Sequence, residues 1–225
     1  MLKKIIIGAV IIAAVGVGVI FLIPWGEYES TLEKSEINTE ESIDSTGSKV
    51  PSLSLLLGNY TITSGADAQA ELLFDVDGLK QTKGAFEDFS VAFNIAEDFT
   101  QSTLNVTIQT ASINTGNSMR DEHLAEEDFF DIANYPEIVF NASNVSETDT
   151  AYVATGELTL LEETKALNVP FKHLGNGTDK NGNDFEAFEG NFVFDRTAYG
   201  MEEVSGAGNI VTVSFYCELI LRDNI

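Results

Sequence analysis

Side chains that commonly do chemistry are scarce in this 225-residue chain. It contains one cysteine, Cys217, and two histidines, His123 and His173, which lie far apart in the sequence. One cysteine forms neither an intramolecular disulfide nor a thiolate metal site. No lysine or arginine lies within four residues of Cys217 to activate its thiol. The sequence therefore predicts a buried, unreactive cysteine and no metal centre.

Motifs of the common enzyme classes are also missing. The chain has no Gly-x-Ser-x-Gly, no His-Glu-x-x-His and no phosphate-binding loop. The run Asp179-x-Asn181-x-Asn183 is similar to the start of a calcium loop, but Asp184 replaces the required glycine and Gly190 replaces the final glutamate. This run therefore indicates a turn. We predict a protein without catalysis and without a cofactor.

The charge excludes one class of partner. The chain has 36 acidic and 12 basic residues, which gives a net charge of −24. A body this acidic is repelled by phosphate backbones. Nucleic-acid binding is therefore excluded.

The elements that could position a site begin with an apolar N-terminal segment. Residues 5–23 carry no polar side chain and are long enough to cross a bilayer as a helix. Two lysines precede this span, so the positive-inside rule places the rest of the chain on the exported side. Bulky residues follow where signal peptidase needs small ones, which favours a signal-anchor over residues 1–26. A cleaved signal that leaves a soluble exported protein is the alternative.

The rest of the chain divides into a linker and one domain. Residues 27–55 are acidic and polar, and they predict a flexible tether. Residues 56–225 then form a single domain. Small residues at positions 9 and 13, and at 14 and 18, could pair two membrane helices. A homodimer is therefore an open alternative.

Apolar and polar side chains alternate from residue 59 onward, with the period of two that is typical of β-strands. Eight runs show this pattern: 68–76, 89–95, 104–109, 138–140, 152–160, 167–171, 188–194 and 211–221. A sheet of that size protects its edges by closing, which predicts an all-β antiparallel barrel or a two-sheet sandwich.

One stretch, residues 117–130, has a helical pattern. Ser118 is its predicted N-cap, and Asp121 follows three residues later, at the spacing of a capping box. One short helix is therefore expected beside the barrel.

Several motifs in succession carry a family resemblance. They are the stretches Ala111–Leu124 and Asp128–Phe140, with Gly84–Phe89 before them and Thr155–Leu160 and Phe194–Met201 after them. The linked succession resembles the YceI-like family over about residues 59–221. The resemblance implies an extended eight-stranded lipocalin-like barrel, whose lengthwise apolar tunnel binds a polyisoprenoid or similar long-chain amphiphile as carrier or store. An anchored member would sit in the bacterial inner membrane with its barrel in the periplasm.

The inward positions of the strands supply the predicted tunnel lining. These positions are Leu72, Phe74, Phe89, Phe93, Val106, Phe140, Leu158, Phe192 and Phe215. Small residues expected to point inward, such as Gly156 and Gly190, would leave room for a ligand. Arg120, Asp121 and His123 on the helix are predicted to hold or gate the barrel mouth.

Two other functions stay open. In the first, the barrel interior is a filled core and the protein is a stress-response or interaction module. In the second, the protein is an enzyme that acts on a lipid head group. The second needs a convergent polar cluster in the cavity, and residue spacing reveals none.

Overall fold

A computed structural model describes residues 28–39, 53–65, 69–78, 81–149 and 151–222. The predicted signal-anchor, residues 1–26, lies outside the described residues. Within those that are described, no helix is long and apolar enough to cross a membrane.

The domain consists of strands, one α-helix and short 3-10 turns. The strands are β1 (Gly58–Thr63), β2 (Ala70–Gly78), β3 (Thr82–Phe86), β4 (Phe89–Ile95), β5 (Thr103–Gln109), β6 (Ile113–Asn114), β7 (Glu137–Glu147), β8 (Tyr152–Leu160), β9 (Glu163–Thr178), β10 (Asp184–Asp195) and β11 (Ala207–Arg222). The helix α1 spans Ser118–Leu124, and 3-10 turns cover Leu53–Leu55, Phe99–Gln101, Thr110–Ser112 and Arg196–Tyr199.

Eight strands close an antiparallel barrel, in the order β1-β4-β5-β7-β8-β9-β10-β11 and back to β1. The closing contact is short, because β1 pairs with β11 only through residues 59–61. The earlier part of β11 pairs instead with β2, which continues to β3 and β6. The barrel is thus confirmed, and the sandwich alternative is wrong.

The eight predicted runs are not the eight strands of the ring. The prediction included β2, which extends the barrel wall from the earlier part of β11 without joining the closed order of eight, and it missed β1, β3 and β6. These three strands have two to six residues each, too few for a clear alternation.

The helix forms where it was predicted, but its cap is different. Asn117, not Ser118, is the N-cap, and its side chain accepts a hydrogen bond from the backbone N–H of Arg120. Asp121 accepts hydrogen bonds from the backbone N–H and the hydroxyl of Thr115, which precedes the helix. The predicted capping box is therefore wrong, and Asp121 instead fastens the incoming chain to the helix.

Part of the predicted flexible linker is packed against the barrel. Residues 28–39, which we call the strap, run along the outer face of β9, β10 and β11. Leu32 and Ile37, the two large apolar residues of the strap, pack on an outward-facing apolar cluster around Tyr216. The structure therefore gives this part of residues 27–55 a defined position on the barrel.

Candidate functional site

The barrel encloses an apolar cavity with two lobes. The helix lobe, of about 140 Å³, extends toward Leu124 of α1. The inner lobe, of about 100 Å³, extends toward the opposite end of the barrel. The side chains that line both lobes are Leu72, Ile108, Leu158 and Phe192. The two lobes therefore adjoin and run lengthwise through the barrel.

The structure places all nine predicted lining residues on the cavity walls. The helix lobe contacts Leu72, Phe74, Leu158 and Phe192, and the inner lobe contacts Leu72, Phe89, Phe93, Val106, Phe140, Leu158, Phe192 and Phe215. Successive side chains of a strand point to opposite faces, so the sequence alone indicates which of them lie on the cavity wall. Contact between these residues and a ligand stays a prediction.

Other lining residues were missed. Ile108 and Ile138 lie on predicted strands and carry the same alternation, so their signal was present. Phe129, Phe130 and Met201 reach the helix lobe from loops. Only the tertiary structure brings those three side chains to the wall.

The small inward residues do not leave the space that was expected. A Cβ on Gly190 would collide with the ring of Phe215 and the carbonyl oxygen of Pro170. A Cβ on Gly156 would collide with the backbone of β7 at Asn141. These glycines permit close packing, so the cavity comes from the shape of the barrel as a whole.

Two arginines bring positive charge to the helix lobe. Arg120 is buried, and it donates from Nε to Thr115 Oγ1 at 2.8 Å and from Nη2 to the Thr115 carbonyl at 2.7 Å. Arg196 is also buried, and it donates to the carbonyl oxygens of Gly208 (2.9 Å) and Glu202 (2.6 Å). Burial lowers the pKa of the Arg196 guanidinium. Sequence reasoning gave Arg196 no role, although it lies in a motif of the family resemblance.

The remaining predicted mouth residues have structural partners. His123 lines the helix lobe and contacts the ring of Phe129 edge-on, with 5.0 Å between ring centroids. Asp121 binds Thr115, as described above. Since Arg120 also binds Thr115, the helix start and the chain before it form one hydrogen-bonded unit at the barrel mouth.

Replacing Asp121 with alanine is expected to lower the free energy of unfolding by about 2 kcal/mol, because two donors of Thr115 lose a charged acceptor. For a domain of this size, the melting temperature should then fall by roughly 4–8 °C. Circular dichroism melting of the variant measures the change. Asp128→Ala, an exposed carboxylate after the helix, is the control and should melt like the wild type. An unchanged melting temperature for Asp121→Ala would contradict a structural role.

The far end of the barrel is closed by aromatic rings. Phe93 packs edge-on against Phe171 and Phe188, with 5.7 and 5.8 Å between centroids. Leu53, which is fully buried, covers this end, and its N–H donates to the Tyr152 hydroxyl at 3.1 Å. Within the described residues, the cavity therefore has no opening at this end.

One polar pair lies near the closed end. His173 Nε2 and Glu186 Oε2 are 2.7 Å apart, and both side chains are largely buried. The other ring nitrogen of His173, Nδ1, is buried without a hydrogen-bond partner among the described residues. Sequence reasoning assigned His173 no role.

The chemistry of Cys217 agrees with its predicted inertness. The side chain is buried and lines the inner lobe. Burial, followed by the nearby Glu218 carboxylate, raises the pKa of the thiol to about 12. Because the thiolate is the reactive form, this thiol is a poor nucleophile at neutral pH. Within the part of the chain that the structure describes, no three His, Cys, Asp or Glu side chains are grouped to hold a metal.

Comparison with known proteins identifies the barrel. The model of the YceI-like domain matches residues 60–219. The chain belongs to the YceI-like family. A UPF0312 protein of Photorhabdus laumondii is 34% identical over 138 residues, which cover 60% of this chain and 72% of that protein.

Two solved structures share the YceI-like fold with this chain. BcnA of Burkholderia cenocepacia is 24% identical, with a TM-score of 0.59 over 68% of this chain and 96% of BcnA. A polyisoprenoid-binding domain of Saccharophagus degradans is 12% identical, with a TM-score of 0.57 over 74% of this chain and 99% of that domain. At these identities the likeness concerns the fold.

Proposed function

We propose that this protein binds a polyisoprenoid or similar long-chain amphiphilic lipid in the cavity, as a carrier or store. The observation that carries the proposal is the lengthwise cavity of a YceI-like barrel, with walls that are almost wholly apolar. The related fold of the Saccharophagus degradans domain, which is described as polyisoprenoid-binding, supports it. Burial of a hydrocarbon chain contributes about 0.8 kcal/mol per CH₂ group, so affinity comes from chain length rather than from polar contacts.

The proposed orientation places the chain inward and the head group toward α1. The opposite end is closed by Leu53 and the rings around Phe171, and the nearby His173–Glu186 pair does not line the inner lobe. A polar head group would therefore lose its water there without compensation. Polar side chains of Arg120, His123 and Arg196 line the helix lobe. The head group is therefore best accommodated there.

The proposed location is the outer face of the bacterial inner membrane, through the anchor within residues 1–26. The strap supports a short connection, because its first described residue, Tyr28, already contacts the barrel, five residues after the predicted span ends at residue 23. A barrel held this close to the bilayer can exchange lipid with it directly. A soluble exported form after signal cleavage is the alternative.

A filled core is the competing hypothesis, and one observation favours it. The ring of Phe215 covers Gly190, so part of the space inside the barrel is already occupied by side chains. In that case the protein would be an interaction or stress-response module without a ligand.

Native mass spectrometry of the full chain, purified from the membrane fraction, tests the proposal. The expected spectrum shows the intact chain with its N-terminal residues and a bound long-chain lipid. Phe192→Trp should retain roughly tenfold less lipid, because a larger ring where the lobes meet displaces about two CH₂ groups. Val193→Trp is the matched control, since this neighbouring side chain is 60% exposed, and it should retain lipid like the wild type.

Two other results would contradict the proposed ligand or the anchor. A wild-type protein without any lipid would favour the filled core. Recovery of only a soluble form that begins near residue 27 would contradict the anchor.

A further inference from the structure

The barrel wall has a gap in its hydrogen bonding between β1 and the hairpin of β2 and β3. β1 pairs with β4 along its length and with β11 through residues 59–61. β2 pairs with β3 only from Leu73 onward. Among the described residues, no ladder joins β1 to β2, or Ala70–Leu72 to β3. Within the described part of the chain, side chains rather than backbone hydrogen bonds therefore close the wall at this point.

A recess of about 570 Å³ lies over the gap, between the barrel and the strap. The strap contributes Tyr28 and Leu32 to its walls. Leu72, Phe86 and Phe89 line the recess and also line the cavity. The partition between the recess and the cavity is therefore a single layer of side chains.

Polar contacts fasten the strap across this region. The hydroxyl of Ser30 donates a hydrogen bond to the Glu71 carboxylate at the edge of the recess. Further along, the buried Glu218 carboxylate accepts from the Ser35 N–H at 2.9 Å and from the Ser35 hydroxyl at 2.8 Å. It also accepts from the Tyr216 hydroxyl at 2.7 Å. Residue 35 is thus a specific latch, with its acceptor on the barrel.

The latch holds a segment that can separate from the barrel while the barrel itself stays folded. The strap joins the sheet through a single bridge between Asn38 and Asn176, within the described residues. Most of its side chains are exposed, and Leu32 and Ile37 supply its apolar contact. Segments with few buried contacts open locally while the rest of a protein stays folded. Detaching the strap would leave the ladders of the barrel intact.

We propose that the recess is a side entrance to the cavity, covered by the strap, through which a lipid chain passes between the barrel and the membrane. The proposal that a lipid uses this entrance rests on the proposed function. The entrance itself is a property of the barrel, and it can be tested with a probe that is not a lipid.

Cys217 provides the test, because it is the single cysteine of the chain and lies behind the gap, paired across the sheet with Ala70 at the recess. The full chain in phospholipid nanodiscs is treated with the disulfide reagent dithiodipyridine, and the rate of thiol modification is followed by absorbance. Leu32→Asp should accelerate modification roughly tenfold or more, because it removes an apolar contact and adds a carboxylate to the recess that Glu71 also lines. Ser35→Ala, which removes one hydrogen bond of the latch, should give a smaller increase in the same direction.

Leu124→Asp is the matched control, since this half-buried leucine lies at the opposite, helix end of the cavity. It should accelerate modification much less than Leu32→Asp, even if both variants melt at the same lowered temperature. Low concentrations of urea should leave the Leu32→Asp rate nearly unchanged, because local opening exposes little surface.

Two outcomes overturn the side entrance: unchanged rates in both strap variants, or equal acceleration by Leu32→Asp and Leu124→Asp. If the Cys217 thiol of the Leu32→Asp variant reacts rapidly but the wild-type protein never carries lipid, the entrance is supported and the proposed function is contradicted. The two proposals therefore fail separately.

Discussion

Phe188→Ala is expected to lower the free energy of unfolding by about 3–5 kcal/mol, which is the usual cost of deleting a buried ring. Phe188 is 2% exposed and packs against Phe93, Phe171 and His173, with centroid distances of 5.8, 6.2 and 5.2 Å. No neighbour can fill the space without breaking these ring contacts. Equilibrium urea unfolding, followed by fluorescence, measures the loss as a lower midpoint with an unchanged slope.

A control lies on the same strand. Val193→Ala removes an outward side chain that is 60% exposed, and its effect should stay within about 0.5 kcal/mol. If Phe188→Ala cost no more than this control, most of the ring, and not only the side that lines the inner lobe, would border open space. The inner lobe would then extend past Phe188, contrary to the closed end described here.

The second large effect is a loss of stability in alkali that depends on Cys217. The pKa of this thiol is raised from 9.0 to about 12, first by burial and then by Glu218. Between these values the unfolded chain loses its thiol proton while the folded chain keeps it. The stabilising contribution is therefore complete below pH 9 and is lost as the pH rises toward 12. The slope is about 1.4 kcal/mol per pH unit for this one group.

Urea unfolding at several values between pH 8.5 and 11 checks this expectation, with about 2–3 kcal/mol lost by the upper limit. Cys217→Ala is the comparison, and the difference between it and the wild type should shrink or reverse as the pH rises. Burial also raises the pKa of Tyr60 and Tyr199, which do not interact with Cys217, so their contribution cancels in that difference. Parallel pH profiles for the two proteins would contradict a buried, protonated thiol.

The barrel and its wall could be read from the sequence to an unusual extent, because both depend on a local rule. Side chains of a strand alternate between its faces, so each run assigns its own inward residues. Phe93, Phe140 and Phe192 were assigned in this way, and all three line the cavity. The order of several motifs along the chain then distinguished a YceI-like barrel from other closed sheets, and the match to the family model confirms this assignment.

Features that depend on distant partners could not be predicted in this way. Asn117 and Ser118 are both good caps by residue type, and the course of the preceding chain decides between them. The glycines suggested open space, yet Gly190 accommodates a ring from the neighbouring strand. In each case the outcome depends on contacts that the spacing of residues along one strand or helix does not specify.

The sequence by itself determined the strand periodicity, the inward side chains, the inert cysteine and the family. Only the tertiary structure decided that β1 closes the ring beside β11, and that a gap remains next to β2. It also decided that Leu32 and Ile37 fasten an acidic segment to the barrel. The physical reason is that alternation is a property of one strand, whereas closure and docking depend on which surfaces meet after the chain has folded.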